Sequence, residues 1–523
     1  MSRRDAVRWL ALRAAVVAAA ALGVTGAAVL APWERSSLDG GSRPTPKQHP
    51  QAAGPRTSPA AGGLLRHAGV QIFRSRPDLQ PPTITVHIPS QPTADPGLVV
   101  TDCHFGPAQQ GPLLIDGSGE LVWFLPLSAH DSSELRAFNV RVQSYRGEPV
   151  LTWFEGAVVN GHGVGRYVLC DSRYRRIAEV SAQGGYWGDL HEFVLTDRGT
   201  ALFTCYGQAS ADLSPFGGRS KGDYYYGVVQ EVDVATGRLL FEWRSDEHVP
   251  LAESYERVKR SRAPWDYFHV NSICVDPTDD NLIVSGRNTW AFYKVERSSG
   301  KVLWRLGGKA SDFRLDPNAR FAWQHDVERW PDGTVTIFDN EAGPPAEASQ
   351  SRGLVLSLDE RARTASLVTQ YRHGPPVLSD ALGSVQDLPH GHRFMGWGTS
   401  TYFTEYDDTG RVLLDARLAP GTESYRAFKQ PWRGQPLEPP AMAAERHAAG
   451  ATVFASWNGA TEVDHWIVLG GADPGHLRPI ASARRTGFET AIAIARPPSH
   501  LAVEAVDRAG ASLGRSSPQA VRA

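Results

Sequence analysis

Three histidines each open a similar stretch of chain. His191 begins His-Glu-Phe-Val-Leu-Thr-Asp-Arg-Gly, His269 begins His-Val-Asn-Ser-Ile-Cys-Val-Asp-Pro, and His325 begins His-Asp-Val-Glu-Arg-Trp-Pro-Asp-Gly. Imidazole serves as nitrogen nucleophile, proton carrier or metal ligand. Histidines at equivalent positions of a repeat converge on one axis, so these three are expected to share a site. Arg287 follows His269, and its guanidinium fork suits a group with several anionic oxygens. Asn271 lies two residues beyond His269. Strand alternation would turn both to one side, where they could donate to developing negative charge.

A second repeat says what positions them. Asp116-Gly-Ser-Gly-Glu-Leu-Val-Trp123 is a turn followed by an apolar strand, and related turn-strand units begin at Asp171, Val234, Arg297, Leu358 and Asp407. Their spacing of about 50–65 residues, with apolar alternation between them, predicts four-stranded units folding back through tight turns. The fold class is therefore all-β: a six-bladed β-propeller over residues 64–437, with the histidines on inner strands of adjacent blades. Phe154, Tyr206, Arg287, Asn340 and Gly398 fall in one column of the repeat. Tyr206 and Phe154 are candidates for lining an aromatic pocket, and Asn340 for binding substrate. Residues 438–523 alternate around Trp457 and Trp466 and predict a small fibronectin III/Ig-like sandwich with Trp457 against a neighbouring sheet.

Residues 1–32 carry Arg3, Arg4, Arg8 and Arg13 before an apolar run from Ala14 to Ala31, expected to be an N-terminal apolar helix acting as signal or membrane anchor. Residues 33–63 are Pro-, Ser- and Gly-rich and read as a tether. The rest is expected to be extracytoplasmic, attached to the membrane through the N-terminal segment or secreted. A net charge of −2 argues against a nucleic-acid partner. The four cysteines form no C-x-x-C pair and read as small buried thiols.

The ordered set Phe268-His269-Val-Asn271, Asn281-Leu-Ile-Val-Ser-Gly-Arg287-Asn288, Gly300-Lys-Val-Leu-Trp-Arg-Leu-Gly-Gly308, Trp323-Gln-His325-Asp and Ile337-Phe-Asp-Asn340 resembles the bacterial arylsulfotransferase family that does not use phosphoadenosine phosphosulfate, in a divergent actinobacterial-type branch. The resemblance is densest over residues 185–345. It implies a six-bladed propeller that moves a sulfuryl group from a phenolic sulfate to a phenol by a ping-pong route. It implies no cofactor and no metal. Carried over, His325 is the nucleophile that becomes sulfated, His269 and Asn271 are the His-x-Asn pair, Arg287 is the essential arginine and His191 is the remaining channel histidine. His191 is expected to move the proton, His269 to bind oxygen, and Asp326 or a channel group to orient His325. Two departures stand out. The cysteine pair of characterised members is missing, and Glu341 follows Asn340 where the family tends to have glycine.

Blander readings accompany these. Arg287 could be a buried ion-pair partner of Asp339 or Asp326, and Trp304 and Trp323 read as packing residues. His162, His390 and His392 are given no role. Two other functions compete: a non-catalytic extracytoplasmic propeller that binds an anionic or glycan ligand, with the sandwich contacting a cell-surface glycan or protein, and a three-histidine zinc site.

Overall fold

The computed structural model describes residues 69–127, 135–258, 263–343 and 345–521. The apolar run Ala14–Ala31 and the tether up to residue 63 lie outside these. Among the described residues no helix is long and apolar enough to cross a membrane.

The described chain is all-β. Pairing is antiparallel in six four-stranded arrays. The first combines Ala427–Gln430 with Leu98–Cys103, Gly111–Ile115 and Leu121–Phe124. The second and third, Arg136–Tyr145 through Arg176–Val180 and Gly188–Leu195 through Leu239–Arg244, touch at the pair Gly165–Gly188. The fourth runs from Val270–Val275 to Val302–Gly307 and the fifth from His325–Arg329 to Thr364–Tyr371. The sixth runs from Ser384–Asp387 to Val412–Leu418, with Ile84–Ile88 added at its outer edge.

The turn units read from the sequence are the six hairpins joining third and fourth strands. Their aspartates make the turns: Asp116 accepts from the Ser118 and Glu120 N–H groups, Asp171 from those of Arg173 and Arg175, and Asp407 from those of Thr409 and Arg411. Such side-chain caps satisfy backbone donors that a tight turn leaves over.

Apolar faces pack between neighbouring arrays. One cluster (Val100, Leu114, Trp123, Leu151, Trp153, Val168) joins the first and second, and another (Ile283, Phe292, Trp304, Val327, Ile337, Leu354) joins the fourth and fifth. Trp304 is thus a packing residue, as expected. All four cysteines are free and buried.

Beyond the sixth array, two sheets face each other. One holds Ala441–His447, Gly450–Ser456 and Glu489–Ile494; the other is built on His465–Gly471 and His500–Val506. Trp466 is the tryptophan fully buried between them, and Trp457 packs on the cluster only partly buried. These sheets are fastened to the first array by Asn458, which exchanges two hydrogen bonds with the backbone of Phe124, and to the segment before Ile84–Ile88 by Glu489, which accepts from Ser75.

Charge links the first strands of the arrays. Arg426, fully buried just before Ala427–Gln430, reaches Glu192 Oε2 (2.8 Å), Asp326 Oδ1 (3.2 Å), the Asn271 carbonyl (3.1 Å) and Asn139 Oδ1 (3.4 Å). Asp326 in turn accepts from the Val385 N–H of the sixth array at 2.9 Å. Burial works against the guanidinium's charge, but Asp326 and Glu192 hold it firmly protonated. Removing one partner of a buried ion pair strands the others in low dielectric. We therefore expect Arg426→Met to lower unfolding free energy by about 3–5 kcal/mol, measured by chemical denaturation. Loss below about 1 kcal/mol would mean that the axial charges are not structural.

Candidate active site

The three histidines lie in or just before the first strands of the third, fourth and fifth arrays. All three are buried. His269 Nε2 lies 3.1 Å from His191 Nε2. His325 is close enough for His191, His269 and Arg287 all to act on its titration. The structure brings His191 and His269 into direct contact and leaves His325 within electrostatic reach of both.

The local backbone makes this possible. Val270 pairs with Gly286 but Ser272 with Ser285, so Asn271 is the extra residue of a bulge. A similar irregularity follows His325. His269 and Asp326 adopt φ of 53° and 51°, a strained region for side-chain-bearing residues that an over-determined site can hold. The bulge breaks simple alternation. His269 turns to His191, while Asn271 Nδ2 donates to the Gln324 carbonyl at 2.7 Å. In this geometry Asn271 braces the residue before His325 through Nδ2.

Each histidine is oriented through Nδ1. That of His191 faces Asp189 Oδ2 at 2.6 Å, and that of His269 faces Asp266 Oδ2 in a very short contact. His325 Nδ1 lies 2.7 Å from Asn340 Oδ1. Asn340 Nδ2 donates to the carbonyls of Ser379 and Leu382 (both 3.0 Å), which fixes the amide's orientation. Its oxygen must then accept from His325, so Nδ1 carries the proton and Nε2 holds the lone pair. The Leu382 N–H points at that Nε2 from 3.3 Å. Burial first, then the Arg287 charge, push the His325 ring well below the ordinary histidine range, so it is neutral near pH 7.

Arg287 follows Leu282–Gly286, where its N–H bonds the His269 carbonyl at 2.9 Å. Its guanidinium donates to Asn288 Oδ1 (3.0 Å) and the Asp380 carbonyl (3.2 Å) and lies over the Trp323 ring at 4.9 Å. Trp323 is therefore more than packing. Asp339 is paired with Arg352 (2.9 Å) and Asp326 with Arg426, which removes both carboxylates that the bland reading had offered to Arg287. Tyr206 donates to the Val270 carbonyl at 2.8 Å, and its ring centre stands 6.1 Å from those of His191 and His269.

Several expectations change. Asn340 has its polar atoms committed to His325 and the 379–382 loop, so it positions the histidine rather than contacting substrate. Asp326 faces Arg426 and leaves the orientation of His325 to Asn340. Phe154 is fully buried between Phe138 and Tyr167 and lines no pocket. His390 and His392 lie together beside Glu405, away from the three histidines. Glu341 has φ 52°, the left-handed region glycine favours, and is held there by an ion pair to Arg352 at 2.8 Å.

Sequence reasoning missed His162, Asp266 and Asp189. His162 Nε2 meets Asp266 Oδ2 at 3.0 Å, and its ring packs on Tyr206 at 3.9 Å. The spacings Asp189-x-His191 and Asp266-x-x-His269 were a usable signal, since a carboxylate so near can turn back onto the imidazole. His162 gave none, because only the fold brings it to Asp266. Among the described residues, donor atoms gathered within 4.8 Å are those of His162, Asp266 and His269, and of Glu192, Asp326 and Glu328. The three axial histidines do not form such a set, and Arg287 adds a cation beside them.

The arylsulfotransferase (ASST) family profile matches residues 141–419, more than half of the chain, and spans every one of these site residues. The chain belongs to the arylsulfotransferase family. No curated protein matches it. Among solved structures, a Bacteroides caccae protein of unknown function is 11% identical, with a TM-score of 0.40, over 64% of this chain and 98% of that one. The periplasmic gluconolactonase of Pseudomonas aeruginosa is 12% identical (TM-score 0.34, 81% and 96%). Virginiamycin B lyase from Staphylococcus aureus is 9% identical (TM-score 0.31, 72% and 96%).

The depressed His325 ring sets a pH dependence. An unfolded histidine titrates near pH 6.5, whereas folded His325 stays neutral below that, so the unfolded state binds more protons on acidification and stability falls. Denaturation at pH 7.5 and pH 5 should show wild type losing more stability than His325→Asn. Equal losses would mean that His325 is not held neutral.

Proposed function

We propose that this arylsulfotransferase-family protein moves a sulfuryl group from a phenolic sulfate ester to a phenolic acceptor by a ping-pong route through sulfated His325. The observation that carries the reading is the fixed tautomer of His325, which puts the proton on Nδ1 and leaves the lone pair on Nε2, with the Leu382 N–H directed at it and Arg287 near enough to act on the ring. A sulfuryl group passes through a loose transition state with charge spread over three oxygens, as a phosphoryl group does. Arg287 supplies the cation and forked donor for those oxygens, and the Leu382 N–H supplies a further donor. His269 borders the same space, and His191 is within reach to give the departing phenolate its proton, a role worth about 10²–10⁴-fold. Tyr206 and Trp323 offer aromatic surface for the aryl groups.

We further read the six arrays as blades of a six-bladed propeller spanning residues 64–437. The first strands of successive arrays contact one another in order, and Ser384–Asp387 packs against Ala427–Gln430, which supports ring closure. The last two sheets read as a fibronectin III/Ig-like sandwich suited to a cell-surface glycan or protein. The basic, apolar N-terminus supports an extracytoplasmic, membrane-attached or secreted protein.

His325→Asn keeps a polar side chain without the nucleophile, and should abolish transfer from phenyl sulfate to phenol. Arg287→Lys keeps the charge without the fork, and should lower kcat by about 10²–10³-fold. Steady-state turnover checks both. Normal turnover in His325→Asn, or binding of aryl sulfate by wild type without turnover, would contradict the reading.

A further inference from the structure

The two histidine–carboxylate pairs beside His325 do not balance if both rings are neutral. Burial alone would raise the Asp189 carboxyl, but the His191 and His162 rings and the Gly163 N–H hold it at about 2. Burial likewise opposes Asp266, yet His269 and His162 keep it well below the carboxylate range. Both carboxylates are therefore pure acceptors. Asp189 Oδ2 takes a proton from His191 Nδ1, and Asp266 Oδ2 takes one from His269 Nδ1 and another from His162 Nε2. On neutral rings the two Nε2 atoms would then be bare lone pairs facing each other across 3.1 Å. Nitrogens at that separation are joined by a proton. Moving a proton from Nδ1 to Nε2 on either ring would set a bare nitrogen against an anionic oxygen, so the carboxylates exclude that escape.

We propose that His191 and His269 hold one proton between their Nε2 atoms and act as a single acid–base group, with Asp189 and Asp266 as positioning residues that force the proton there. The proposal rests on the sulfuryl-transfer reading and assigns the proton within it. Burial keeps His269 down at about 4 despite Asp266. Near the pair are Arg287, His325, His162 with Tyr206, and Tyr425, whose hydroxyl bonds the His191 carbonyl at 3.0 Å.

The step balances. His325 Nε2 forms a bond to sulfur as the bond from sulfur to the aryl oxygen breaks. The electron pair of that bond stays on the aryl oxygen, which takes the pair's proton and leaves as a phenol. His325 keeps its Nδ1 proton and becomes an N-sulfo imidazolium, and the His191–His269 pair becomes neutral. In the second half the acceptor phenol gives its proton to the pair while its oxygen attacks sulfur, and the sulfur–nitrogen electron pair returns to Nε2.

The test is the rate of His325 sulfation by two donors, phenyl sulfate, whose phenolate needs a proton, and para-nitrophenyl sulfate, whose phenolate leaves readily. His191→Gln, His269→Gln and Asp266→Asn should each slow the phenyl ester by about 10²-fold or more and the nitrophenyl ester by less than about tenfold. The double histidine variant should cost no more than the worse single one, as for groups that act as a unit. Equal losses on both donors, or losses that multiply in the double variant, would overturn the proposal. Imidazole NMR of ¹⁵N-histidine-labelled protein gives a readout independent of turnover. One strongly deshielded N–H, distinct from the Nδ1 protons held on Asp189 and Asp266, should be present in wild type and absent from both single histidine variants, and its absence from wild type would also overturn the proposal. Wild type that sulfates from neither donor would instead sink the transfer reading, while the NMR result would still decide the shared proton.

Discussion

One buried guanidinium organises this protein. Arg426 enters the axis from the first array and grips Glu192, Asp326, the Asn271 carbonyl and Asn139, while Asp326 passes the connection to Val385. Each of the six arrays is thus tied to one charge. The gripped residues are also neighbours of the site: Glu192 adjoins His191, Asn271 follows two after His269, and Asp326 adjoins His325. Buried ion pairs seldom add much stability over an apolar core, but they specify geometry. Here the geometry specified is the start of three strands, hence the placement of three imidazoles.

From that constraint the rest follows in layers. Bulges at the axis turn His269 and His325 out of strand alternation and into a common space. Carboxylates and Asn340 then fix each ring's tautomer through Nδ1. Arg287, held over Trp323, supplies the cation. Burial does two things at once: it keeps His325 neutral, and it strengthens every charge interaction around it.

The sequence disclosed the architecture through its turns. All six turn-strand units are hairpins joining the third and fourth strands of their arrays, because a tight turn demands particular residues locally. The convergence of the histidines was legible for the same reason, being a property of the repeat. What escaped depended on contacts between distant segments. Asn340, fifteen residues beyond His325, is its Nδ1 partner in place of adjacent Asp326. His162 joins the site across 104 residues through Asp266. The bulge at Asn271 was equally hidden, since nothing in His-Val-Asn announces it.

The most direct measurement is mass spectrometry of the protein quenched during incubation with an aryl sulfate and digested. The account predicts one added sulfuryl group on the peptide containing His325, lost when a phenol is added before quenching. A sulfuryl group on another residue, or turnover of the donor with no modified peptide, would contradict it.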